Sequence, residues 1–206
     1  MQESWFKKHP GNFPQFKGGE LRNVADRLAR AGVLYYEIPP SYVGLQGLQR
    51  GDFESLCRMM TEQFRVCSMN NIPVEPAIMF IRDNVLVITN RHLTRKLVVE
   101  SVNPFMTYYK PWAVVLISYA LITVQKPGEA DKDEEMGCIY AVDYQGREHV
   151  SLFEVMLEDD GLVRHVAEVK RLRENIPPQA RPFDCRQALM ALNDRNSEVA
   201  DNHELV

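Results

Sequence analysis

Trp112-Ala113-Val114-Val115-Leu116-Ile117-Ser118-Tyr119-Ala120-Leu121-Ile122-Thr123-Val124 is the most hydrophobic stretch of the chain and carries no charge. Read as a strand, it is apolar on both alternating faces. Val114, Leu116, Ala120 and Ile122 fall on one, and Ala113, Val115, Ile117 and Leu121 on the other. A strand of that kind has to be covered on both faces, so it sits at the centre of a sheet or at a contact between subunits. Trp112, Val114 and Leu116 are its candidate interface residues. A buried helix fits the periodicity too, but the β-branched content favours a strand. The stretch is shorter than the about 20 residues of a membrane-spanning helix.

Downstream, Glu129 to Glu135 reads as an acidic loop, and its Asp131, Asp133 and Glu135 lack the glycine and closing glutamate positions of a calcium loop. Cys138 to Tyr144 and His149 to Leu157 flank a Gln145-Gly146 turn, which reads as a hairpin. Leu162 to Val169 suits a further strand, although Leu162, Val166, Val169 and Leu172 also stand at helical spacing. Residues 112–170 are thereby expected to form an antiparallel meander.

Upstream, Leu21, Val24, Leu28 and Ala31 predict a helix over Glu20 to Ala31. Val33 to Ile38 predicts a short strand. Asp52 is a good N-cap for a helix whose apolar stripe is Phe53, Leu56, Met60, Phe64 and Cys67. Ala77 to Ile81 and Val85 to Thr89, around Arg82-Asp83-Asn84, read as another hairpin. Arg91 to Val102 is expected as a third helix, stopped by Asn103-Pro104.

The fold expected is therefore α+β: a mainly antiparallel sheet with helices packed on one face and a C-terminal helical appendage. Residues 1–18 form an irregular N-terminal arm, 19–175 a single domain, and 176–206 a proline linker, a short helix capped by Asp184, and a frayed acidic tail. Leu189 and Leu192 give that last helix an apolar face that suits a groove on a partner or on its own domain.

With 206 residues, 24 Lys+Arg, 28 Asp+Glu and a net charge of -4, the composition is that of a globular protein. It excludes collagen-like, wholly disordered and disulfide-scaffold classes. The acidity is local: the Glu129–Glu135 segment and the tail from Phe183 are acidic, and the remainder is mildly basic. Cys57, Cys67, Cys138 and Cys185 form no C-x-x-C pair, which suits reduced thiols and no metal site. No signal-like apolar segment opens the chain, so a cytoplasmic setting is expected.

Chemistry-bearing patterns are few. There is no phosphate-binding glycine loop and no G-x-S-x-G; His165 has Ser151 as a conceivable neighbour, without a nucleophile elbow. Glu154 on one strand and Glu168-Val169-Lys170 on the next resemble the metal-dependent PD-(D/E)xK nucleases. In that family the acids hold Mg²⁺, a hard ion that wants oxygen ligands, and the lysine helps position the attacking water. The resemblance is confined to this span, with Glu154 where the family has Asp and no Q-x-x-x-Y after Gln187. Lys7, Lys8 and Lys17, interleaved with aromatics, together with Arg171 and Arg173, are candidate nucleic-acid contacts.

With no reliable catalytic set, the expectation is a non-enzymatic accessory or binding protein. It would act through protein–protein contact, with itself or another protein as partner, as a homo-oligomer, with no cofactor and no membrane. The alternatives are the Mg²⁺-dependent nuclease and a nucleic-acid-binding protein that uses the N-terminal arm.

Overall fold

The uncharged stretch forms β4 (Ala113–Val124), and the other strands are arranged around it. The computed structural model describes residues 19–30, 33–72, 74–89, 102, 104–124, 132–157, 163–172, 186 and 189–191. In chain order these hold α1 (Gly19–Arg30), β1 (Leu34–Ile38), a 3-10 turn (Pro40–Val43), α2 (Phe53–Met69), β2 (Ala77–Ile81), β3 (Val85–Thr89), β4, β5 (Lys132–Asp143), β6 (Glu148–Leu157) and β7 (Val163–Leu172). The seven strands make one sheet in the order β1-β3-β2-β4-β5-β6-β7. Every pairing is antiparallel. The fold is thus mixed helix and strand, and β4 takes the centre that two apolar faces require.

Strand alternation divides the apolar residues between two cores. Met79 and Ile81 of β2, with Val115 and Ile117 of β4, join the first; Ile78 and Phe80, with Val114 and Leu116, join the second. α2 closes the first core with Phe53, Leu56, Cys57, Met60, Phe64 and Cys67. Its start is fixed by Asp52, whose carboxylate accepts the Ser55 N–H at 3.1 Å and is thereby held below the usual carboxylate range. The second core takes Leu28 of α1, Phe105, Met106 and Tyr109 of a helical segment at residues 104–109, and Leu189. Helical residues therefore lie on both faces of the sheet, not on one. The cause is in the strands: β2 and β3 are buried at every position, which a single covering layer cannot achieve.

α2 is tied down at both ends. At its start, the fully buried Asp143 accepts the Gln145 and Arg147 N–H groups and the Arg147 guanidinium, the last at 2.7 Å. Arg147 then donates to the Gly51 carbonyl at 2.9 Å and lies over the Phe53 ring, 5.3 Å from its centroid. At its far end, Asn71 Oδ1 accepts the Val163 N–H at 2.7 Å. The helix is thus laid across β5, β6 and β7.

Two expectations change, and one open choice closes in favour of the strand. Residues 132–135 belong to β5 rather than to an acidic loop, because antiparallel pairing with β4 runs out to Val124↔Lys132. Val102 and residues 104–109 are helical, so Pro104 lies in a helical segment instead of ending one. The preceding residues 91–101 lie outside the described residues. Val163–Leu172 is a strand, since β6 supplies a paired neighbour that periodicity alone cannot reveal. The N-terminal arm, the proline linker and the acidic tail lie outside the described residues.

Candidate functional site

The acids of the nuclease-like pattern do not meet. Phe153 pairs with Glu168 and Glu154 with Ala167. Phe153 packs in the α2-side core, so Glu168, opposite it, shares that face. Glu154, one residue on, takes the other face and is exposed. One step along a strand is enough to separate them. A register shift between Leu152 and Phe153 then sets Lys170 opposite Leu152. Among the described residues no three His, Cys, Asp or Glu side chains are grouped to hold a metal ion.

Glu168 has other company. The Ser151 hydroxyl donates to its carboxylate at 2.5 Å, and His149 Nε2 stands 2.7 Å from the same hydroxyl. A hydroxyl has one proton; given to Glu168, it leaves Ser151 to accept from His149 Nε2–H. His149 and Ser151 are buried. Beside this chain, between α2 and β7, runs a cleft of about 690 Å³ lined by Cys57, Arg58, Thr61, His149, Phe153 and Glu168, among others. Ser151 itself has no exposed surface, so the arrangement positions Glu168 and offers no accessible nucleophile. His165, the histidine that the sequence sets near Ser151, is exposed and pairs with Met156. The signal for His149 is its period-two spacing with Ser151 and Phe153.

The candidate interface residues are used inside the chain. Trp112, Val114, Leu116 and Leu189 are buried, because the two cores consume the apolar faces that the sequence leaves open. Leu192 lies outside the described residues. So do Lys7, Lys8, Lys17 and Arg173, while Arg171 pairs with Ser151 in the sheet.

What stands apart is the far half of β4 and β5. β2 pairs with β4 only from Ala113 to Ile117. The next partner would be Pro76, which has no N–H to donate. β6 pairs with β5 only from Val142 to Gly137. Beyond both limits β4 and β5 continue together from Ala120↔Met136 to Val124↔Lys132, a two-stranded ribbon reaching roughly 15 Å at about 3.3 Å per residue. Its base is built around Gly137. The Phe64 ring lies over that glycine, 4.7 Å from Phe153 and 6.2 Å from Tyr119, ring centre to ring centre. Tyr119 and Phe153 are the cross-strand partners of Gly137.

No family model, curated protein or solved structure matches this chain.

The ribbon has two unlike strands. Residues 118–124 carry no charge, whereas β5 opens Lys132-Asp133-Glu134-Glu135. Among the described residues nothing pairs with the outer side of either. The sequence marks the apolar strand plainly. What it does not mark is which half of that strand the sheet covers.

Proposed function

We propose that this chain is an accessory protein that acts by protein–protein contact, associating with itself, and that the β4–β5 ribbon is the element that makes the contact. The ribbon carries the reading. An isolated two-stranded hairpin is marginally stable in water, and unpaired strand edges recruit further strands. This one continues a well-packed central strand past Ile117, where β2 has ended, and it does so with uncharged residues. Tyr119, at its root, is 39% exposed, and aromatic residues are enriched where proteins meet.

The test shortens the ribbon and leaves every described core residue in place. Replacing residues 121–135 by Asn-Gly joins Ala120 to Met136, which already pair, through a turn of the kind two-residue hairpins favour. Sedimentation and affinity capture from the native host are then compared with the full chain. The expected result is a folded protein that has lost its associations; a shortened protein that keeps all of them defeats the reading.

A further inference from the structure

Resting on that reading, we infer that the partner is a second copy of this chain, and that the outer edge of β4 over residues 118–124 pairs antiparallel with the same edge of that copy about a two-fold axis. Several edges are open to such pairing among the described residues, among them the short β5-facing side of β6 beyond Phe153, which carries Glu154, and charge and length separate them. The outer side of β5 carries Asp133, Glu134 and Glu135; set against itself it would bring acids together, and like charges directly opposite destabilise a sheet. β7 carries Arg164, Lys170 and Arg171, and its ladder with β6 is broken by two register shifts. Edge charges and bulges are the means by which proteins keep an edge from pairing. β1 is only five residues long.

The β4 edge has none of these defences. From Ala113 to Val124 it bears no charge, so an antiparallel copy sets no like charges opposite one another. Pairing centred on Leu121 would place Tyr119 opposite Thr123, an aromatic beside a β-branched residue, a favourable cross-strand combination. The edge is freed by Pro76, which ends the ladder of β2 after Ala77↔Ile117. The two sheets would then join through their central strands. Such an interface is isologous and closes at two copies.

The test uses the full chain. Sedimentation velocity over a concentration series is expected to show a dimer. Leu121→Lys and, separately, Thr123→Pro are expected to weaken it at least about tenfold. The far-ultraviolet spectrum and urea midpoint report whether each variant folds. Glu134→Lys, on the neighbouring strand, should leave the dimer intact. Leu121→Cys, at the position that faces itself in that register, should cross-link copies on oxidation, since facing strand positions lie within disulfide reach, whereas Thr123→Cys should not. A dimer that survives both β4 substitutions overturns the edge pairing while self-association stands. A chain that is monomeric throughout overturns the pairing, and ribbon-dependent capture of another protein then decides whether the wider reading survives.

Discussion

Ser151 and Glu168 show what a single strand position decides. The sequence makes Glu168 half of a metal-binding pair with Glu154, but the β6–β7 register puts them on opposite faces and gives Glu168 to Ser151. The irregularity between Leu152 and Phe153 has no marker in the residues themselves, so the pairing was not legible. The burial of the cysteines was: Cys57, Cys67 and Cys138 are buried, as scattered thiols in an apolar setting should be. Burial pushes the Cys138 thiol from 9.0 up to about 11. Its folded pKa thus lies above its unfolded one, so its contribution is complete below pH 9 and is lost as pH rises towards 11. The shift corresponds to about 3 kcal/mol. Urea midpoints measured from pH 8 to 11 should fall, and Cys138→Ala, although less stable at pH 8, should fall less steeply. Burial raises Tyr36 and Tyr109 as well, which is why the comparison with the variant is needed; equal slopes would count against Cys138 as a source.

At the scale of elements, α2 was legible in full. Asp52 and the stripe from Phe53 to Cys67 are ordinary local signals, and they were confirmed by the cap and the core. The extent of β4 was legible too. Where its neighbours stop was not, because that depends on Pro76 meeting Ser118 and on a helix side chain meeting a glycine across the sheet. Gly137 is the point at which α2 reaches the ribbon: a methyl group there would overlap the Phe64 ring. Gly137→Ala is therefore expected to destabilise by about 1–3 kcal/mol through overpacking, and Phe64→Ala by about 3–5 kcal/mol through the cavity it leaves. The added methyl and the lost ring occupy the same space, so the double variant should cost clearly less than the sum. A double-mutant cycle on urea-derived stabilities measures this; strict additivity would mean that the two residues do not share the site.

For the whole molecule, the sheet and its antiparallel order followed from strand patterns, but the second layer did not. The run Ile176-Pro177-Pro178 suggests a hinge and a detachable helix. Yet residues 186 and 189–191 are helical, and Leu189 is fully buried in the second core with Phe105 and Tyr140. Arg186 stands 3.9 Å from Glu148, whose other carboxylate oxygen accepts the Tyr140 hydroxyl at 2.7 Å. A stiff linker limits how a segment travels without preventing it from packing back on its own domain, and sequence alone cannot tell those cases apart. Leu189 therefore counts as part of the second core. Leu189→Ala is expected to cost about 2–5 kcal/mol, and a chain ending at residue 175 at least as much, with loss of a single cooperative transition in urea. Arg186→Ala should cost less than about 1 kcal/mol, because that side chain is 46% exposed and surface ion pairs contribute little. A truncated chain as stable as the full one would return the segment to the role of a free arm.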